Sequence, residues 1–156
     1  TGRPVPEGTK EFRKFATNWL DNVNDPLYPF GYGLTYTTFS YGKPVVTGSG
    51  RNFKASVTVT NTGSRDAYEV VQHRMTLRLF SLRHTVLEQN VRYENLVAFN
   101  RIMLKAGESK EVTFDITEKE LSYYNAEGRQ VFEPGKFDIM LGHDSRSLQT
   151  VSITAE

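Results

Sequence analysis

The stretch FKASVTVT, residues 53–60, alternates strictly between apolar and polar side chains. A period of two places the four apolar side chains on one face of a β-strand and the polar ones on the other. The run stops at NTGS, residues 61–64, where Asn and Gly tolerate the tight backbone angles of a turn. This stretch therefore predicts an antiparallel strand with one buried face, followed by a turn.

The same alternation recurs along the chain from about residue 35. It marks the runs 37–41, 70–80, 112–116, 137–141 and 151–153, with a turn at GHDS, residues 142–145, and a short helical turn near residues 118–121. Six or seven strands that each bury one face predict an all-β fold. The expected architecture is an antiparallel β-sandwich of the immunoglobulin or fibronectin-III-like type.

Composition and charge argue against several classes of protein. The chain has 156 residues, which is enough for one domain with a core that needs no disulfide or metal. A net charge of +1, from 19 basic and 18 acidic residues, argues against nucleic acid or an anionic membrane as a partner. The absence of cysteine excludes a disulfide framework and cysteine-based zinc sites. No apolar run approaches the ~20 residues of a membrane helix.

Residues 1–34 differ in character from the rest. They hold four of the six prolines and the only tryptophan, Trp19. Phe12, Phe15 and Trp19 are spaced for one face of a short helix that Thr9 would cap, and an extended arm pinned by its aromatic side chains explains the same residues. The chain opens on TGRP without an initiator Met or a signal peptide, as we expect of a segment cut from a longer protein.

Residues 26–39 read PLYPFGYGLTYTTF. This run resembles the junction that leads into the C-terminal fibronectin-III-like domain of family 3 glycoside hydrolases, with Thr35 where that family usually has Ser. Further pieces resemble the same domain in the same order along nearly the whole chain: VTVTNTG at 57–63, EVVQ at 69–72, FNRI at 99–102, AGE at 106–108, FEPG at 132–135 and IMLG at 139–142. TGRP at 1–4 resembles the exit from the preceding α/β domain.

The resemblance implies a domain without catalytic residues of its own. In that family the nucleophilic Asp lies in an N-terminal barrel and the acid/base residue in the companion α/β domain, both of which would precede Thr1. The implied partners are these upstream catalytic domains of the same chain, and oligosaccharide is met only through the parent enzyme. That parent would be an exported β-glucosidase or β-xylosidase that removes terminal β-linked sugars with retention. No cofactor, metal, nucleic acid or membrane is implied.

The resemblance predicts two parts, an arm and interdomain junction at residues 1–34 and a β-sandwich at 35–156. In the junction, Pro26 and Pro29 favour an extended path, and the glycines permit turns or close backbone approach. The aromatic residues supply apolar area with hydroxyl groups. We therefore expect an interdomain clamp made by Trp19, Leu27, Tyr28, Phe30, Gly31, Tyr32, Gly33, Leu34 and Tyr36.

Two alternatives for these aromatic residues stay open. They could cover one end of the sandwich core, or they could contact sugar directly. In the second case the chain would be a carbohydrate-binding module with Trp19 and the exposed tyrosines as its platform. A plain protein-interaction β-sandwich is a third class.

Three other patterns are interpreted as structural. DNVND, residues 21–25, lacks the spacing of a calcium loop and predicts a polar turn. HDS, residues 143–145, contains the residue types of a catalytic triad, but adjacent residues cannot align as nucleophile, base and orienting group, so a hairpin turn is expected. His73 and His84 have no partner at ligand spacing, which argues against a metal site.

The resemblance fails between His73 and about Asn95. After Val-Val-Gln the family usually continues with Leu-Tyr, whereas this chain has His73-Arg74-Met75. A divergent loop and a local reading-frame slip both explain this, and a slip predicts poor packing of the strand that contains these residues. Translating the neighbouring frames of the gene would separate the two.

Overall fold

Ten β-strands and one short helix make up the part of the chain that the computed structural model describes, residues 26–78, 95–125 and 127–156. In chain order they are β1 (Phe39–Tyr41), β2 (Val45–Ser49), β3 (Asn52–Asn61), β4 (Ala67–Arg78), β5 (Asn95–Leu104), β6 (Ser109–Ile116), α1 (Glu118–Leu121), β7 (Ser122–Tyr124), β8 (Gln130–Phe132), β9 (Gly135–Gly142) and β10 (Leu148–Ala155).

The strands form two antiparallel sheets and a small hairpin. In sheet 1, β3 is central, β6 pairs along one edge, and β1 and β2 pair with successive parts of the other edge. Sheet 2 has the order β10-β9-β4-β5, and β7 pairs only with β8. This confirms the predicted antiparallel β-sandwich.

The core lies between the two sheets and is built by the alternating residues. All four apolar residues of the stretch 53–60 are buried, and they pack with apolar side chains from β4, β5, β6, β9 and β10. The largest fully buried apolar side chains are Phe137, Leu104, Ile116, Leu121, Ile139 and Leu141. Period-two patterning therefore identified the buried face correctly.

The described residues contain ten strands rather than the expected six or seven. Two of the additional ones, β7 and β8, have three residues each, too few to display a period. The outward face of β5 carries Phe99 and Met103, so apolar residues occupy both faces and no alternation is visible in the sequence. The short helix predicted near 118–121 is α1, and the backbone N–H of Thr117 donates to the Glu120 carboxylate at 2.9 Å.

The chain turns where the sequence predicted, with bends at residues 63–65 directly after β3. Neither Asn61 nor Gly63 has a positive φ. Asn61 ends β3 fully buried, and its side-chain amide donates to the carbonyl oxygens of Arg65 at 2.7 Å and Leu104 at 3.2 Å. Its Oδ1 accepts from the Thr37 hydroxyl at 2.6 Å and from the Gly63 N–H at 3.1 Å. Asn is thus required here for its side-chain hydrogen bonds.

The divergent segment begins inside β4, which continues to Arg78 as the alternation predicted, while residues 79–94 lie outside the described part. His73 is fully buried against Phe114, with ring centroids 5.4 Å apart, and neither ring nitrogen has a hydrogen-bond partner among the described residues. Within the described part of the chain, the buried Thr76 hydroxyl also lacks a hydrogen-bond partner. Buried polar groups without hydrogen bonds in this strand agree with the poor packing that a reading-frame slip predicts. Translating the other frames of the gene remains the test.

Candidate interdomain contact surface

The junction segment, residues 26–36, is attached to the sandwich through its backbone. The N–H of Ser145 donates to the Phe30 carbonyl oxygen at 2.9 Å, and Arg146 Nη2 donates to the Pro26 carbonyl oxygen at 3.3 Å. Both donors belong to the turn between β9 and β10. Within the segment, the Tyr32 N–H donates to the Pro29 carbonyl oxygen at 3.0 Å and closes a turn. The sandwich therefore fixes the path of the junction segment through hydrogen bonds to its backbone that do not involve its side chains.

Gly31 lies against the outward face of β4. Its φ is +84°, and a Cβ there would overlap the side-chain amide of Gln72. That amide donates from Nε2 to the His143 carbonyl oxygen at 2.8 Å, so it joins β4 to the β9–β10 turn. Glycine is needed here both for its backbone conformation and for the close approach. Gly33 has no positive φ and nothing within 4 Å of the position that a Cβ would take.

The large side chains of the junction segment project into solvent. Leu27, Tyr28, Phe30, Tyr32, Leu34 and Tyr36 are between 46% and 92% exposed. The Tyr28 and Tyr32 rings pack on each other with centroids 5.0 Å apart and planes tilted by 33°. The guanidinium of Arg74 lies 5.7 Å from the centroid of the Phe30 ring. Trp19 lies outside the described residues.

The β9–β10 turn is organised by Asp144, whose side chain is buried. Its Oδ1 accepts from the backbone N–H groups of Arg146 and Ser147, both at 2.7 Å, and its Oδ2 lies 3.0 Å from His143 Nε2. Burial alone would raise the pKa of Asp144, but the two backbone N–H groups and His143 outweigh it and lower the pKa. The three residues HDS thus form part of a turn, and Asp144 stabilises it.

A second polar contact joins the two sheets next to this turn. The Tyr41 hydroxyl on β1 donates to Glu69 Oε1 on β4 at 2.6 Å. Burial is the main cause that raises the pKa of Glu69, and burial followed by the hydrogen bond to Glu69 raises the pKa of Tyr41. The Tyr41 ring also lies 6.0 Å from the His143 ring, centroid to centroid. This contact braces the end of the sandwich that carries the junction segment.

The other sequence candidates give no chemistry in the described residues. Residues 21–25 lie outside them. Among residues 26–78, 95–125 and 127–156, no three His, Cys, Asp or Glu side chains come together as metal ligands. No helix in the described part is long and apolar enough to cross a membrane.

Sequence reasoning missed the residues that hold the junction segment, namely Gln72, Ser145 and Arg146. It also missed a group of exposed apolar side chains on the outward face of sheet 2, Tyr68, Val70, Phe99 and Met103. A signal for the second group was present, because Tyr68 and Val70 occupy positions on β4 that strict alternation reserves for polar residues.

The two-sheet architecture and the sequence define a class of domain. Residues 84–145 match the family model of the fibronectin type III-like domain. This match begins within residues 73–95, the segment where the resemblance to family 3 glycoside hydrolases fails. The chain therefore contains a fibronectin type III-like domain, and its described residues fold as an antiparallel β-sandwich.

The chain is similar in sequence to named proteins over most of its length. The chain is 37% identical over 150 residues to the periplasmic beta-glucosidase of Salmonella typhimurium, covering 93% of the chain and 18% of the relative. It is 39% identical over 137 residues to a beta-xylosidase of Formosa agariphila, covering 84% and 18%. It matches the C-terminal region of family 3 β-glucosidases and β-xylosidases.

Solved structures agree with the sequence relatives. A β-glucosidase of Erythrobacter marinus superposes with a TM-score of 0.76 at 33% identity, over 90% of this chain and 18% of that one. The β-glucosidase of Listeria innocua, solved with gluconolactone, gives a TM-score of 0.78 at 28% identity, over 99% and 20%. The chain spans about a fifth of the length of these relatives, which are larger multidomain enzymes.

Proposed function

We propose that this chain is the non-catalytic structural domain of a family 3 glycoside hydrolase that releases terminal β-linked sugars. In this role the sandwich, from residue 35 onward, braces the enzyme's catalytic domains, and residues 1–34 connect it to them. The substrate is an oligosaccharide met by the parent enzyme, and the chain itself supplies no catalytic group.

The observation that carries this proposal is the way the junction segment is mounted. Its backbone carbonyls at Pro26 and Phe30 are held by the β9–β10 turn, while Tyr28, Phe30 and Tyr32 remain exposed. Large aromatic side chains on a fixed backbone are suited to packing against a second protein surface, since little conformational entropy is lost on docking. The length of the relatives supports a partner within the same polypeptide, because about four fifths of each relative lies outside the matched region.

The test compares the isolated chain with the full-length gene product on aryl β-glucoside and aryl β-xyloside substrates. We expect hydrolysis by the full-length protein and none by the isolated chain. The double variant Tyr28→Ser/Phe30→Ser should lower the temperature of half-inactivation of the full-length enzyme without changing the unfolding midpoint of the isolated chain. Tyr124→Ser removes an equally exposed tyrosine from β7 and serves as the matched control.

Three outcomes would contradict the proposal. Hydrolysis by the pure isolated chain would place an active site within it. Retardation of the isolated chain on polysaccharide gels, lost in Trp19→Ala or in the double variant, would favour a carbohydrate-binding module. A gene that encodes no hydrolase domain before these residues would leave a plain interaction domain.

A further inference from the structure

The outward face of sheet 2 carries four exposed apolar side chains, here called the outer patch: Tyr68 and Val70 on β4 and Phe99 and Met103 on β5, each 40–66% exposed. The β4–β5 register pairs Tyr68 with Met103, Val70 with Arg101 and Gln72 with Phe99, so these residues lie side by side on one face. Their neighbours Val71 and Ile102 point the opposite way into the core. The outer patch is therefore a continuous surface.

The opposite outer surface of the sandwich differs in character. On sheet 1, the outward cross-strand pairs are Lys54 with Asp115, Ser56 with Thr113 and Thr58 with Glu111. Lys54 Nζ and Asp115 Oδ1 are 3.6 Å apart. A polar outer face is expected for an antiparallel sheet that meets water, whereas an apolar one marks a contact surface. The two outer faces of this sandwich thus differ in polarity.

The outer patch continues directly into the seat of the junction segment. Gln72, the cross-strand partner of Phe99, is the residue against which Gly31 packs. The backbone at Pro26 is held by Arg146 at the same end of sheet 2. The described part of the chain therefore begins, at residue 26, near the outer patch.

We propose that the outer patch is the docking face for a catalytic domain that precedes this chain in the same polypeptide. This rests on the proposed function. A domain tethered to this chain in the same polypeptide meets the patch at high effective concentration, which favours it over a second copy of the chain. The Arg101 guanidinium stacks on the Tyr68 ring at 3.7 Å from its centroid, so the outer patch combines apolar area with a positive charge.

Cysteine accessibility tests this assignment, because the chain has no cysteine of its own. Phe99→Cys and Met103→Cys report on the outer patch, and Thr113→Cys on the outward face of sheet 1 is the matched control. Each is made in the isolated chain and in the full-length gene product. Maleimide labelling is followed by mass spectrometry on the peptide that contains the new cysteine, so that other cysteines in the longer protein do not interfere.

We expect labelling at positions 99 and 103 to be at least tenfold slower in the full-length protein, with position 113 labelled equally in both. Equal rates at 99 and 103 in the two proteins would overturn the inference. Protection that appears in the isolated chain and grows with its concentration would also overturn it, in favour of self-association. Glycoside hydrolysis by the same full-length samples is measured separately, so an active enzyme with an unprotected patch would reject this inference and leave the proposed function standing.

Discussion

Gly31 and Gln72 lie in direct contact although they are 41 positions apart, and the contact leaves no room for a side chain at position 31. The Gln72 amide in turn holds the β9–β10 turn through the carbonyl oxygen of His143. Three separate parts of the chain thus meet at one point. The position of the junction segment depends on this point.

Gly31→Ala should therefore loosen the junction segment, whereas Gly33→Ala should not. The alanine would have to adopt the positive φ of this position, and its Cβ would displace the Gln72 amide from its hydrogen bond. Together these effects cost about 1–2 kcal/mol. Urea unfolding of the two variants measures the difference, and limited proteolysis shows whether cleavage near residues 26–34 becomes faster. Equal stability of the two variants would mean that the contact does not hold the segment.

His73→Leu should stabilise the sandwich. The imidazole is fully buried and neither nitrogen is hydrogen-bonded to any residue that the structure describes, so the folded state carries the desolvation cost of a polar ring without compensation. An apolar side chain of similar size removes that cost, and we expect a gain of about 1–3 kcal/mol in the free energy of unfolding at pH 7. Leu is also the residue that the family resemblance leads one to expect at this position. His73→Ala, which leaves a cavity, is the control and should not be stabilising.

Acid should weaken the fold through the same residue. Burial lowers the pKa of His73 from its ordinary value of 6.5 to about 4, against a smaller opposing effect of Glu120. Above pH 6.5 the ring is neutral in both states. Between pH 6.5 and 4 the unfolded chain binds a proton that the folded chain does not. The free energy of unfolding therefore decreases as the pH is lowered through this range, by about 3 kcal/mol in all.

Urea unfolding at intervals of half a pH unit from 7.5 to 3.5 measures this loss. In His73→Leu the corresponding part of the slope should be absent. If both proteins lose stability equally over that range, another group is responsible for the acid sensitivity.

Asn61→Ala should be among the most damaging single changes to this domain. The substitution leaves the buried carbonyl of Leu104 and the Thr37 hydroxyl without their partner at the point where β3 ends. The expected loss is about 2–4 kcal/mol, since unsatisfied buried polar groups cost about 1–3 kcal/mol each. Thr58→Ala, on the exposed face of the same strand, should stay within about 0.5 kcal/mol of the parent. Thermal and urea unfolding of the two variants separate them, and a mild Asn61→Ala would contradict the hydrogen-bond argument.

Much of the fold could be predicted from local sequence because strand pairing imposes a period of two. The stretch 53–60 and the run in β6 alternate clearly, and each buries the predicted side. In β9 the predicted side is buried, but Asp138 and Met140 on the other side are buried as well. Prediction failed where the period is masked or too short to see. In β5 both faces carry apolar residues, and the β7 and β8 strands are shorter than two periods.

Part of the candidate site could also be predicted, since the motif at 26–39 singles out the aromatic residues of the junction segment. These side chains are exposed, as expected of side chains that contact another protein surface. Their interdomain role stays a prediction. The residues that hold the segment in place were invisible, because Gln72, Ser145 and Arg146 are ordinary polar residues in their own neighbourhoods. They hold the junction segment only because the fold brings them together.

The sequence by itself determined that this protein is an antiparallel β-sandwich with a distinct aromatic junction before it, because alternation and the motif are properties of adjacent residues. The tertiary structure decided which surfaces meet. It brought Gln72 to the carbonyl of His143 across 71 positions, placed the outer patch beside the junction segment, and buried His73 without a partner. Such contacts depend on strand order and register, which join distant residues and leave no local pattern in the chain.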